Sequence, residues 1–433
     1  MTLPDGWKQG RLGKLCSIEI GGTPSRGVAA YWDSAHDTSN VWVSIRDMRQ
    51  RLITASAEQI SDLGVKKSNV KLLQPDTVLL SFKLSIGRVA IAAVPLFTNE
   101  AIAGLSPNGL TRDFLFQGLQ GWDLLQGVDQ AIKGATLNKR KLKKILFEYP
   151  ESEREQAKIA EVLSTVDRAI QQTEALIAKQ QRIKTGLMQD LLTRGIDEHG
   201  NLRSEQTHEF KDSPLGRIPV EWSAVKLDRL ASRVGSGVTP TGGESVYTPE
   251  GVLFIRSQNV HFNGLRLNDV AYIPERIHLS MLRSEVFEND VLLNITGASI
   301  GRCCRMPEID GRANVNQHVC AIRLFGSSEA TAGVLAAVLE SHIGQHQITQ
   351  LNAGGNREGL NYQQVRSLAL PWPGDDSEFA RIYSGIRQIA DRLAASQFSL
   401  DKLRRLKTGL MQDLLTGDRR VTALLRQGDR ATS

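Results

Sequence analysis

Lys184 to Thr193 reads KTGLMQDLLT, and the same ten residues return unchanged from Lys407 to Thr416, 223 positions downstream. Chance does not produce this, so the chain carries an internal duplication. Solenoid units run roughly 20 to 50 residues, so a period this long describes two domains, each followed by a helix.

The match extends to the start of each half. Leu3-Pro4-Asp5-Gly6-Trp7 answers Ile218-Pro219-Val220-Glu221-Trp222, and Leu12 and Leu15 answer Leu227 and Leu230. A glycine turn closing on Thr-Pro follows, Gly21 to Pro24 against Gly235 to Pro240. Ser85-Ile86-Gly87-Arg88 recurs as Ser299-Ile300-Gly301-Arg302, each after a Val/Leu run that begins past Asp76 or Asp290. Asn99-Glu100 corresponds to Asn316-Gln317, Leu137-Asn138 to Leu360-Asn361, and Pro150 to Pro373. Between these anchors the halves share little, as expected of one scaffold carrying two different binding surfaces.

Between Glu153 and Thr193 there is no proline and, before Gly186, no glycine. One stripe follows a 4-3 alternation: Ile159, Leu163, Val166, Ile170, Thr173, Ile177, Gln180, Lys184, Leu187 and Leu191. Its copy is Ile382, Ile386, Ile389, Leu393, Ser396, Leu400, Leu403, Lys407, Leu410 and Leu414. A period of 3.5 residues sustained this long predicts a coiled-coil seam, with polar Gln180 and Lys184 fixing register. Two helices of about 40 residues, each roughly 60 Å long, bury both stripes most simply on each other. An intramolecular antiparallel pair would make them a ruler between the attached domains; a plain structural bundle is the alternative. Leu176, Ile183, Met188 and Leu192 widen the apolar face of the first helix and suggest a further partner.

The expected organisation is a first domain at 1–151, a helix at 152–194, a polar linker at 195–217, a second domain at 218–374, a helix at 375–417 and a tail at 418–433. Short apolar runs such as Thr77 to Phe82 and Val291 to Ile295 suit strands, and Phe114 to Gln126 and Ala330 to Gln347 suit helices. An α/β (α+β) fold with curved sheets and loop-borne function follows.

With 433 residues, 41% hydrophobic and 23% charged, the chain has the composition of a soluble two-domain protein. No run of 18 apolar residues and no signal-peptide pattern is visible, so a cytoplasmic location is expected. Cys16, Cys303, Cys304 and Cys320 lack C-x-x-C spacing and read as buried reduced thiols. The net charge of +6 is uneven. Residues 1–150 carry 19 Lys and Arg against 13 Asp and Glu, whereas residues 221–373 carry 13 against 14, and 12 of those 13 cations are Arg. The planar guanidinium fork suits guanine edges and phosphates, so a near-neutral domain can still read nucleic acid. No phosphate-binding G-x-x-x-x-G-K-[ST] loop, [NDS]-P-P-[YF] methyltransferase motif, H-E-x-x-H or nuclease-type carboxylate-lysine cluster is found.

The Gly-Thr-Pro turn, the S-I-G-R loop, the Asn-Glu or Asn-Gln step, the closing proline and the helix ending in GLMQDLLT, all duplicated, resemble the DNA-specificity subunit of type I restriction-modification systems. The linker phrase from Phe210 to Trp222, FKDSPLGRIPVEW, is similar to that of many members. The resemblance implies two target-recognition domains, each reading half of a bipartite, asymmetric site on double-stranded DNA. It implies two docked adenine-N6 methyltransferase subunits and, through them, restriction-translocase subunits. The subunit itself performs no chemistry and binds no cofactor or metal; S-adenosylmethionine, ATP and Mg2+ belong to the partners. A self-sufficient DNA methyltransferase or nuclease with fused recognition domains is the rival, and a helical scaffold or RNA-binding adaptor a third reading.

The resemblance places DNA contacts on loops, where phosphate contacts position and a few side chains read bases. In the first domain the candidates are Thr23, Arg26, Arg46, Lys83, Ser85 and Arg88, then Lys133 and Thr136, and the basic run of Lys139, Arg140, Lys141 and Lys143. In the second they are Thr239, Arg256, Ser257, Gln258, Asn259, Asn294, Thr296, Arg302, Asn316, Gln317, Asn356 and Arg357. The alternatives remain open: a tight strand-to-strand turn for Ser85, Gly87, Ser299 and Gly301, a solvated helical face for the basic run, and backbone-satisfying amides for Asn316 and Gln317. His318 is assigned no role.

Overall fold

A computed structural model describes residues 3–83, 85–121, 138–353 and 359–425. The chain divides into two compact units, Met1–Glu174 with Phe398–Ser433, and Ala175–Gln397. Each division falls inside a long helix, so each unit contains part of both.

In the first unit a five-stranded sheet runs in the order Cys16–Ile20, Ile102–Pro107, Val78–Ser81, Val89–Ala92, Leu52–Ile53. Its pairs are antiparallel except the last. A second sheet sets Val41–Val43 between Glu58–Gln59 and Phe97–Thr98, and a ribbon joins Trp7–Arg11 to Leu146–Pro150. The alternation of strand side chains buries Ile18, Val78, Leu80, Ile91 and Leu105 in one cluster with Phe114, Leu115 and Leu119 of the helix Arg112–Gly121. That helix covers the start of the expected segment; residues 122–126 lie outside the described residues.

The second unit repeats the plan. Ala231–Ser236, Val319–Leu324, Val291–Asn294 and Cys303–Arg305 form one antiparallel sheet. Ala271–Ile273, Val252–Ile255, Ala313–Val315 and Glu285–Val286 form another, and Ser223–Lys226 pairs with Ala369–Trp372. Helices Glu329–Glu340 and His342–Ala353 occupy the expected helical stretch, split at Ser341. The segment read as an irregular linker is more ordered than its composition suggests, because Phe210–Ser213 and Gly216–Pro219 form a hairpin around the positive φ of Gly216. Ile218 of that hairpin is buried.

The long helices span Glu153–Thr193 and Asp376–Leu415. Every stripe position is buried or half-buried. In the first unit Asp167 and Glu174 of the first helix bond Lys407 at 2.7 Å and Arg404 at 2.8 Å. Ile159 and Leu163 share a core with Leu414 and Leu415. In the second unit Met188, Leu191 and Leu192 share a core with Phe379, Ile382 and Ile386. Within each unit rising numbers on one helix meet falling numbers on the other, so the pairing is antiparallel.

Two readings need correction. Lys184 does not set register by bonding across the seam; its Nζ reaches Glu340 at 2.7 Å, on the helix Glu329–Glu340 of the same unit. Met188 and Leu192 do not extend an outward apolar face, since both are buried in the core of their own unit, while Leu176 and Ile183 remain exposed.

Each unit is closed at equivalent places by an arginine on a buried glutamate. In the second, Arg203 grips Glu378, which also accepts from the Trp222 indole at 3.0 Å and the Ile196 amide at 2.9 Å. In the first, Glu155 accepts Arg420 at 2.6 and 2.7 Å. Removing one partner of a buried pair strands a charge, which typically costs about 3–5 kcal/mol. Arg203→Leu is therefore expected to destabilise the second unit on that scale in urea denaturation, and Arg203→Leu with Glu378→Leu to recover most of the loss. A double variant no better than the single would exclude the ion-pair account.

Candidate nucleic-acid interface

The duplicated motifs build the same loop clamp in both units. In the first, Gly21 lies so close to the Thr98 and Asn99 carbonyls that an added Cβ would meet them at 2.2 and 2.3 Å. In the second, Gly237 approaches the Val315 carbonyl, where a Cβ would sit at 1.6 Å. Only glycine permits that approach of two backbones. The threonine after each glycine turn is then clipped to the opposing step: the Thr23 hydroxyl donates to Glu100, and the Thr239 hydroxyl to Gln317. The Asn before each acceptor folds the step by taking an amide, Asn99 from Ala101 and Asn316 from His318, both at 3.1 Å.

The S-I-G-R loops are tight strand-to-strand turns. Gly87 and Gly301 have φ of 93° and 86°, and their amides donate to Ser81 and Asn294 carbonyls at 2.9 Å. The Ser81 hydroxyl donates to the Ser85 carbonyl at 2.5 Å and accepts the Arg88 amide at 2.9 Å. At the matching place Asn294 is wholly buried and donates to the Ser257 carbonyl and Ser299 Oγ at 2.8 and 3.1 Å, tying this turn to the Arg256–Asn259 loop.

In the first unit Thr23, Arg26, Arg46 and Lys83 gather around two carboxylates. Arg26 stacks over Trp32, 3.8 Å from the ring centroid, and forks onto Glu58, which also takes Arg46 at 2.6 Å. Trp32 meets Trp42 edge-on, and the buried Trp42 indole donates to the Gly22 carbonyl at 2.9 Å, anchoring the assembly to the glycine turn. The Arg26 bond holds the Glu58 carboxyl below its usual range, against the opposing effect of burial and helped by Arg46. Glu100 is held low first by the Thr23 hydroxyl, with Lys83 and Arg26 adding attraction. Arg88 donates to the Ile45 carbonyl at 3.2 Å, beside Arg46.

The basic run lies on other elements. Lys139–Lys144 is a short helix capped by Asn138, whose side chain takes the Lys141 amide at 2.9 Å; Asn361 caps Tyr362–Ser367 in the same way. Leu142 is buried, Lys139 lies 3.8 Å from Glu19, Lys143 packs against Gly13, and Arg140 is exposed.

In the second unit Arg256 lies over Tyr247 and 3.8 Å from Asp269, which Gln258 also bonds at 3.1 Å. Asn259 is buried, with its amide committed to the Arg266 and Asp269 carbonyls. Thr296 bonds His318 Nδ1 at 2.5 Å, and Gln317 bonds His318 Nε2 at 3.2 Å. A chain of polar groups thus runs Thr239, Gln317, His318, Thr296. Arg302 is half-exposed. Burial, and then the positive charges of Arg266 and Arg302, hold the His261 imidazole below its usual range. Lys133, Thr136, Asn356 and Arg357 lie outside the described residues.

Sequence reasoning missed Glu58, Trp32 and His318. The doubled Asn-Glu and Asn-Gln steps pointed to His318; nothing local pointed to Glu58. The four cysteines are buried and free, and burial pushes the Cys16, Cys304 and Cys320 thiols up to about 12. Among the described residues no helix is long and apolar enough to cross a membrane.

Residues 4–181 match the family model described as type I restriction modification DNA specificity domain. The chain is 24% identical over 431 residues to the type I restriction enzyme MjaVIII specificity subunit of Methanocaldococcus jannaschii, covering 98% of this chain and 95% of that one. It is 24% identical over 214 residues to the EcoR124I/EcoR124II specificity subunit of Escherichia coli, covering 48% and 47%. Its fold matches the type I restriction-modification S subunit from M. genitalium with a TM-score of 0.61 at 13% identity, covering 96% and 98% of the two chains. Residues 4–181 thus carry the likeness to the specificity domain, and nearly the whole chain is similar in sequence to a type I specificity subunit.

The Glu58 carboxylate yields a pH prediction. A carboxyl held below its ordinary 4.5 when folded contributes its full stability above that value and loses it as pH falls through the lower, folded value. The stability difference between wild type and Glu58→Gln should therefore be constant from neutral pH to about 5 and shrink only in more acid solution. A difference that vanishes near neutrality would show that the Arg26–Glu58–Arg46 trio is not formed.

Proposed function

We propose that this chain is the non-catalytic subunit that gives a type I restriction-modification complex its DNA sequence, reading an asymmetric, interrupted site with a different unit for each half. It carries two adenine-N6 methyltransferase subunits, through which restriction-translocase subunits join. S-adenosylmethionine, ATP and Mg2+ are bound by those partners, and the complex works in the cytoplasm on double-stranded DNA.

The observation that carries this reading is the repeated clamp with unlike surroundings. Thr23–Glu100 and Thr239–Gln317 hold equivalent turns, while the side chains around them differ in charge and shape. One clamp presents a stacked arginine beside two carboxylates, the other a hydrogen-bonded Thr239-Gln317-His318-Thr296 chain. Guanidinium forks, amides and carboxylates are the groups that distinguish base pairs in the major groove. Exposed Arg46, Arg88, Lys139, Arg140 and Lys143 suit phosphate contacts. We propose further that the length of the paired helices sets the gap between half-sites.

The test is modified-base sequencing of DNA from cells expressing the chain with its methyltransferase. The expected result is N6-methyladenine in one interrupted, non-palindromic site, with the gap shifted or modification lost when four residues are inserted into both long helices. Modification by the chain alone would favour the self-sufficient enzyme, and an unchanged gap would remove the helices from the spacing mechanism.

A further inference from the structure

Beside the second unit's clamp three aliphatic side chains stand in solvent. Val238, between clamped Gly237 and clipped Thr239, is 53% exposed. Leu279, near the end of the helix Glu275–Ser280, is 56% exposed, and Leu282, opening the turn Leu282–Ser284, is 52% exposed. All three line one pocket with Ser236, Ser280 and Arg283. Arg283 is the one charged side chain lining it among the described residues.

The backbone carrying the leucines is fixed from below. His278 is wholly buried, its Nδ1 2.7 Å from Asn314 Oδ1. The Asn314 amide donates to the Met281 carbonyl at 2.9 Å and Ser284 Oγ at 3.0 Å. Arg233 donates to the Glu285 carbonyl at 2.6 Å and to the Arg283 carbonyl. A satisfied buried polar network makes a segment rigid. Here it anchors a turn whose leucines face outward and remain uncovered within their unit.

Resting on the proposed function, we infer that Val238, Leu279 and Leu282 form an apolar reader for the 5-methyl group of a thymine in the half-site taken by the second unit. Val238 lies in the chain between the clamp residues Gly237 and Thr239, so DNA seated on Thr239 and Gln317 meets Val238 next, and with it the leucines that line the same pocket. Among groups that base pairs expose in the major groove, that methyl is the apolar one. The neutral serines around the pocket add no ionic repulsion towards DNA, and Arg283 at the rim suits the flanking phosphate.

The test uses the full complex of this chain with its methyltransferase and a duplex bearing its sequenced site. Each thymine of the half-site is replaced in turn by uracil, which removes the methyl and nothing else. At one position the wild-type complex should lose about fourfold in affinity, the scale of one buried methyl. Leu282→Ser, and separately Val238→Ser on the other element, should bind more weakly and show no further loss with uracil. Both should keep the wild-type salt dependence, since no phosphate contact is removed. A uracil loss of the same size in the variants, no uracil loss at any position, or a half-site without a T·A pair overturns the inference while leaving specific DNA binding intact. Variants that release the methyltransferase yet keep the uracil loss would assign the ridge to a protein contact instead. A wild-type complex with no specific duplex binding would sink the functional reading as well.

Discussion

The closing of each unit by an arginine on a buried glutamate is the interaction on which the rest is hung. Glu155 and Glu378 are 223 residues apart, the period of the duplication, and both are almost wholly buried. Each stands in the first turn of a long helix and takes an arginine from the segment that follows the other long helix, Arg420 and Arg203. Gly417 and Gly195, at φ of 76° and 68°, end those other helices against the indoles of Trp7 and Trp222. Helix end, helix start and first strand are thereby joined at one point in each unit. The two closures differ at the indole: Trp222 donates to Glu378, whereas the buried Trp7 indole nitrogen has no partner among the described residues. A buried pair contributes little net stability compared with apolar packing; its clearer effect is to penalise misregistered pairings that would strand a charge.

With the framework fixed in this way the exposed loops can diverge. The glycine approach, the threonine clip and the asparagine-folded step are repeated almost bond for bond, and they set the backbone. Ser81 and Asn294 show how little the framework demands: a hydroxyl and a carboxamide hold equivalent turns by different bonds. Around them lie Arg26 on Trp32 in one unit and Arg256 on Tyr247 in the other. The rigid part is shared and the variable part is exposed, which is the arrangement needed if one architecture is to recognise many sequences.

Much of this framework was legible in the residues. The 4-3 stripe marked both helices because burial on one face imposes a period, and every stripe position lies out of full solvent. The runs after Asp76 and Asp290 became central strands, and the S-I-G-R glycines proved to be positive-φ turns. Pairings set by tertiary contact were not legible. Arg203 and Glu378 are separated by 175 residues, and no local pattern announces them. Lys184 meets the helix Glu329–Glu340 because that helix packs beside it, a fact its heptad position does not contain. Asn259 and Asn294 look like surface readers by residue type, yet both are buried and committed to backbone.

Antiparallel pairing of the long helices is the central claim, and intramolecular cross-linking tests it most directly. In the structure Asp167 Oδ1 lies 2.7 Å from Lys407 Nζ, whereas a parallel pair in repeat register would set Asp167 beside Ala390. Those two alternatives are 17 residues apart on the second helix, roughly 25 Å. With the four native cysteines buried, a short bismaleimide that bridges neighbouring thiols should give a monomeric cross-linked product with the Asp167→Cys, Lys407→Cys variant and none with the Asp167→Cys, Ala390→Cys variant. A cross-link in the second variant and none in the first would contradict the account.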